Sequence, residues 1–224
     1  MMTKGWVRTS LINGILAGGL LWMGCSTTTP ESGKAESSVG PAGEKKFKRT
    51  DRIDRVWLAD GVDFTGYDTL LIEEAKTDPS VKPKDEKEAD RLSLMQGTLS
   101  RALAESIESR RIFKTVTRKD SELAAATKGL KLQTTVTKFS RGSTATRIGV
   151  GFGAGMPYIR VVVVAIEPGT NKEVFECELD ETADWFGAGY SGSESLQRGA
   201  GMELADDVAN YMARVAKHEP IKYK

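Results

Sequence analysis

Residues 149–167 read GVGFGAGMPYIRVVVVAIE. A run with glycine at every second position, Gly149, Gly151, Gly153 and Gly155, opens into the most strand-like stretch of the chain. Ile159, Val161, Val162, Val163, Val164 and Ile166 are β-branched, and such side chains favour a pleated, packed surface. Apart from Arg160, both faces of this strand are apolar. That pattern predicts a central strand covered on at least part of both faces. In an extended chain the alternate glycines leave one face bare, so another backbone can approach closely.

On either side, the pattern alternates between strand and helix periods. Residues 67–74, YDTLLIEE, predict a first strand. Pro79 and Pro83 interrupt the charged stretch that follows and mark a loop. Over 88–111, Leu92, Met95, Leu99, Leu103 and Ile107 recur at spacings of three and four, the signature of one helix face. Gly97 lies inside that helix, where glycine is unfavourable, and is expected to mark a close approach to the sheet. Residues 111–117 predict a short strand and 121–127 a helical turn. In 129–139, Leu130, Leu132, Thr134 and Val136 alternate with Lys131, Gln133, Thr135 and Thr137, as in a strand with one wet face. Pro168 to Asn171 form a turn. Phe175, Cys177 and Leu179 then alternate with Glu176, Glu178 and Asp180, so Cys177 reads as a buried small hydrophobe.

A second glycine-rich aromatic loop, WFGAGYSGSES at 185–195, precedes the last helix. Ser193 suits its N-cap. Leu196, Gly199, Ala200, Leu204, Val208, Tyr211, Met212 and Val215 make its apolar stripe, and Gly199 and Gly201 permit close approach. The sum is an α+β fold: a four- to five-stranded, mostly antiparallel sheet with two long helices packed on one face.

The chain has 224 residues, enough for one core plus a tail. The first 24 hold Lys4 and Arg8 and no acid, leaving 30 basic and 31 acidic side chains in the remainder. That balance gives no case for nucleic acid. Leu11 to Met23 is mostly apolar but too short for a membrane span, and with the preceding charges it fits an export signal. Leu20, Leu21, Trp22, Met23, Gly24 and Cys25 resemble the bacterial lipoprotein cleavage box, with Trp22 and Met23 bulkier than usual. The resemblance implies a signal peptide over 1–24 and lipidation of Cys25. With Ser26 rather than aspartate next, it implies anchoring at the periplasmic face of the cell outer membrane. Residues 25–55, rich in Ser, Thr, Gly, Pro and charge to Lys46, predict a flexible tether whose last part, from Phe47, docks on the domain edge. A single domain is expected over 56–217, and a fraying polar tail over 218–224.

The glycines of 149–155 precede a strand, whereas nucleotide loops precede a helix, so no nucleotide or other cofactor is expected. His218 is the single histidine, too little for a zinc cluster or a Ser-His-Asp triad. No metal site and no enzyme activity are expected. Arg147, Phe152, Trp185, Phe186 and Tyr190 form the candidate contact surface for an envelope protein partner. The alternative is a carrier of a small apolar ligand or lipid, which needs a roomy apolar pocket between sheet and helices.

Residues 138–155, KFSRGSTATRIGVGFGAG, resemble the central signature of a bacterial lipoprotein family known only as domain of unknown function number 4410. The shared features are the Gly142–Ser143 turn, Arg147, the alternating glycines, the valine-rich strand 161–166, and the turn 169–173. Glu167 and Pro168 stand where many members place a strand-ending aspartate. The resemblance implies an envelope location and a small α/β domain. It transfers no catalytic residue, because the family has no established activity.

Overall fold

The computed structural model describes residues 45–140, 142, 156–182 and 193–224, the side chains of 193–197 excepted. The described residues fall in one compact unit, Gly43–Lys224. In chain order they form β1 (Arg55–Leu58), a 3-10 turn (Phe64–Gly66), β2 (Thr69–Ile72), β3 (Lys76–Thr77), α1 (Glu86–Ser109), β4 (Thr115–Thr117), α2 (Asp120–Ala124), β5 (Gly129–Ser140), β6 (Tyr158–Glu167), β7 (Lys172–Thr182) and α3 (Ser193–Ala216).

One seven-stranded sheet runs β1-β7-β6-β5-β2-β4, with β3 also paired to β5. β1, β7, β6 and β5 are successively antiparallel, whereas β2, β3 and β4 join in parallel. The sheet is therefore larger than the four or five strands expected. The additional strands β1 and β3 are two to four residues long, too short to carry a period of their own. The parallel half arises because α1 lies between β2 and β4 in the chain, and parallel neighbours require such crossovers.

α1 starts where its sequence offers a cap. Asp85 accepts a hydrogen bond from the Glu88 amide at 2.8 Å, and Glu88 accepts from the Lys84 amide at 2.7 Å. The first bond satisfies a donor that the first helical turn leaves unpaired, and the second ties the entering chain to that turn. Leu92, Met95, Leu99, Leu103 and Ile107 are all buried against the core. Gly97 behaves otherwise than expected: a side-chain carbon there would meet nothing within 4 Å, so it faces open space. The close approach lies on α3, where a Cβ at Gly201 would come within 2.9 Å of Met95 Sδ. Gly199 also faces open space.

The core lies between the helices and one sheet face. Leu130, Leu132 and Val136 of β5, Ile159, Val161, Val163 and Ala165 of β6, and Phe175, Cys177 and Leu179 of β7 all join it. Phe64, Phe113, Phe175 and Tyr211 link the turn, the approach to β4, β7 and α3 through ring contacts of 5.6–6.3 Å. Cys177 is buried, and burial pushes its thiol well above the ordinary value. That fits a packing role.

Among the described residues the two faces of β6 are covered unequally, one fully and the other in part. Tyr158, Arg160, Val162, Val164 and Ile166 are half-buried. The strand buried at every position is β2, between β5 and β4. Val162 lies beside Thr135 and Glu178, and Val164 beside Gln133 and Glu176. Long polar neighbours thus give this apolar stripe partial cover, as expected for the second face.

Both chain ends of the domain are docked. Ile53 is buried, and Lys48 pairs with Val56 through two backbone hydrogen bonds of 2.8 Å. The segment from Phe47 is thus docked on the domain, as expected of the last part of the tether. The tail departs from the fraying expected of it: Ile221 packs against the core, and the Lys224 amide donates to the Arg49 carbonyl at 2.9 Å.

Candidate functional site

Cys25, Arg147, Phe152, Trp185, Phe186, Tyr190 and the glycines Gly149, Gly151, Gly153 and Gly155 lie outside the described residues. Their flanking strands are described. Ser140 pairs with Tyr158, and Tyr158 pairs with Thr182. The connection 141–157 and the connection that follows Thr182 therefore leave from the same end of the sheet. Strand pairing thus brings together the roots of two loops that the sequence singled out separately.

Beneath those roots, on the open face, sits a polar cluster that composition alone did not reveal. The Arg160 guanidinium donates twice to Asp180, with one contact at 2.5 Å to Oδ2, and approaches Glu178 at 3.4 Å. Arg55 reaches Glu178 from β1 at 3.4 Å. Asp54 accepts from the Asp180 amide at 3.1 Å. Burial pushes the Asp180 carboxyl up, but the Arg160 and Tyr158 hydrogen bonds outweigh it and hold it below the usual range. Burial and the bond to Asp180 push the Tyr158 phenol up. A bidentate Arg–carboxylate pair is geometrically stiff. It makes a rigid base for the loops, with its groups committed to one another. The signal in the sequence was the single charge, Arg160, within an apolar strand.

At the opposite end lies a cleft of about 560 Å³, lined by Tyr67, Leu123, Ala126, Lys128, Glu167 and Pro168 among others. The Tyr67 hydroxyl donates to Glu167 Oε1 at 2.6 Å, and the Thr170 hydroxyl to Oε2 at 3.2 Å. Lys128 Nζ stands 4.3 Å over the Tyr67 ring. The Tyr67 bond, with Thr170 and nearby cations, lowers the Glu167 carboxyl against its partial burial. Burial, with the Glu167 bond, raises the Tyr67 phenol. Both oxygens of the carboxylate are thus occupied by hydroxyl donors that lock the β6–β7 turn to the start of β2. Pairing between Tyr67 and Glu167, a hundred residues apart, has no local signature.

A second groove, of about 530 Å³, runs between residues 50–53 and α3. Burial pushes the Asp207 carboxyl up to about 6, helped by Glu203 and Asp206 and opposed by Arg52 and Arg110. Among the described residues no group of three or more His, Cys, Asp or Glu side chains is placed to hold a metal ion. Among them, no helix is long and apolar enough to cross a membrane.

A sequence model for a domain of unknown function, DUF4410, matches residues 71–188, from β2 through β7 and into the second loop. The chain belongs to the DUF4410 family. The match contains both the strand pair β5–β6 and the connection between them. No curated protein matches the chain. Among solved structures, the PelC dodecamer from Paraburkholderia phytofirmans is 12% identical with a TM-score of 0.44, covering 67% of this chain and 96% of that one. Protein XCC0632 from Xanthomonas campestris, of the DUF330 family, is 10% identical with a TM-score of 0.42, covering 68% and 86%. A candidate lipoprotein from Caulobacter crescentus CB15 is 17% identical with a TM-score of 0.38, covering 66% and 93%. Overlaps this loose carry no weight for the function of the DUF4410 chain.

Proposed function

We propose that this DUF4410 protein is a lipid-anchored cell-envelope protein with a non-catalytic interaction or envelope-maintenance role, held at the periplasmic face of the outer membrane. The observation that carries the reading is the N-terminal sequence: a basic start, a short apolar run, and Gly24–Cys25 closing it. The polar stretch 26–44 supports it, because such composition suits a tether. The family's resemblance to lipoproteins supports it further.

The contact surface is assigned to the two glycine-aromatic loops, through Arg147, Phe152, Trp185, Phe186 and Tyr190, facing an envelope protein partner. Their roots share one end of the sheet on a stiff ionic base. The carrier alternative needs an apolar pocket between sheet and helices. Among the described residues that space is filled by the core cluster, and the clefts lie against turns, residues 50–53, helix surfaces and the end of β2.

A photocrosslinking residue at Phe152 in the anchored protein tests the assignment. A discrete envelope-protein adduct, lost when Trp185 and Phe186 become serine while the melting temperature holds, is the expected result. Extraction of a lipid or small apolar ligand with the purified protein, and no adduct, would transfer the function to the carrier reading.

A further inference from the structure

The arm Lys45–Asp54 joins the expected tether to β1, and the last residues of the chain lie against it. The Lys224 amide donates to the Arg49 carbonyl at 2.9 Å, and Lys224 Nζ pairs with Asp51 at 2.9 Å. Lys48 Nζ stands 4.5 Å over the Tyr223 ring, whose hydroxyl lies 3.2 Å from that of Tyr211 on α3. Ile221 packs against the same core that buries Ile53. The tail is bent into this position. His218 takes a left-handed φ of 53°, the Glu219 amide donates to the Arg214 carbonyl at 2.8 Å, and the Arg214 guanidinium donates to the Pro220 carbonyl.

We infer that the C-terminal residues 219–224 are a clasp that holds the arm on the domain and so sets the length of the tether. The reach depends on the anchoring proposed above; the clasp itself does not.

The arm has other attachments to the sheet edge: Asp54 accepts from the Asp180 amide at 3.1 Å, Lys45 Nζ stands 4.8 Å from the Trp57 ring centre, and the Arg55 guanidinium 4.3 Å from that of Phe47. Lys45 pairs with Glu173 and Glu176, Arg49 with Asp54 at 3.2 Å, and Arg52 with Glu203 at 3.4 Å. The Arg49 and Arg52 pairs are exposed and each contribute little, whereas those of Lys45 are partly buried. The Lys48–Val56 backbone pair and the Ile53 side chain are the stronger holds. A segment with one buried apolar side chain belongs among the parts of a fold that open first. The tail adds a backbone hydrogen bond, a cation–ring contact and an ion pair at that weak place. The tail bridges α3, through Tyr211 and Arg214, to the arm, through Arg49, Asp51 and Lys48. Opening 45–54 would lengthen the tether by at most about 35 Å, at 3.3–3.6 Å per residue. That is a reach comparable to the span of a small domain, gained without unfolding the core.

Hydrogen exchange on the full chain tests the clasp, comparing it with a chain ending at His218. The Lys48, Ile53 and Val56 amides are expected to exchange at least about tenfold faster in the shortened chain, because their openings no longer break the tail's contacts. Amides of α1 and β6 are expected to stay protected, which also certifies the fold. Unchanged arm amides would overturn the clasp. If the shortened chain fails to fold, Tyr223→Ser replaces it. That variant removes the ring under Lys48 and the contact to Tyr211, and a two- to threefold faster arm is expected; an unchanged arm would again overturn the clasp. Lipid labelling of Cys25 in the same samples separates the two claims. Unlabelled chains with a faster arm sink the anchor and keep the clasp, and labelled chains with an unchanged arm do the reverse.

Discussion

The two faces of β6 carry nearly the same kind of side chain and have different fates. Ile159, Val161, Val163 and Ala165 are covered by the helices and buried. Val162, Val164 and Ile166 lie on the open face, flanked by Thr135, Gln133, Glu176 and Glu178. An apolar alternation identifies a strand, but which face is buried depends on neighbouring strands. On β5 and β7 the polar residues of the open face line up in register with the valines, so the stripe is narrow and rimmed by charge. The lesson is that burial belongs to the sheet and not to the single strand.

Removing volume from each face separates them most sharply. Leu132→Ala, on the covered side, is expected to cost about 2–5 kcal/mol in urea unfolding. Val164→Ala, on the open side, is expected to cost less than about 1 kcal/mol. Equal costs would mean that the open face is covered by something else. The open face's own stabilisation should come from its ionic rows. A double-mutant cycle on Arg160→Gln and Asp180→Asn is expected to give a coupling of about 1 kcal/mol, as for close charge pairs that share a hydrogen-bond network. Because Arg160 holds Asp180 below its ordinary range, that coupling should be present above about pH 4 and fade as acid protonates the carboxylate.

The helix layer has its own inner and outer sides. Asp207, half-buried beneath the arm, is raised to about 6. A carboxyl raised in the folded state contributes most below its unfolded value near 4, and that contribution is lost as pH rises towards 6. Asp207→Asn should therefore raise the melting temperature at pH 7.5 by about 2–4 °C, taking about 1 kcal/mol after allowance for solvent screening. It should bring no gain at pH 4. The smallest effect is expected at Gly97, on the outer side of α1. With open space around it, Gly97→Ala should stabilise by about 0.5–1 kcal/mol through helix propensity. A loss of stability there would restore the close contact that the sequence suggested.

Long periodic segments were readable from sequence because one physical pattern repeats within them. The five-residue stripe of α1 and the alternations of β5 and β7 needed no partner to be seen. The short strands needed partners. Val56 of β1 is buried where it pairs with Cys177, far away in the chain, and with Lys48 of the preceding segment. The docking of Lys224 on Arg49 and of Tyr67 on Glu167 is likewise set by tertiary geometry. The apolar residues from Phe47 onward suggested docking on the domain edge, and Ile53 with the Lys48–Val56 backbone pair seats that segment. Of the candidate site, pairing at Ser140, Tyr158 and Thr182 could be added to the sequence argument. The chemistry of the loops themselves still rests on Arg147, Phe152, Trp185, Phe186 and Tyr190 as residue types.

The most direct test of the account is lipid labelling with membrane fractionation, comparing the native chain with Cys25→Ala. The account predicts a labelled native protein in the outer-membrane fraction, and an unlabelled Cys25→Ala protein that is released or left unprocessed. An unlabelled, soluble native protein would contradict it.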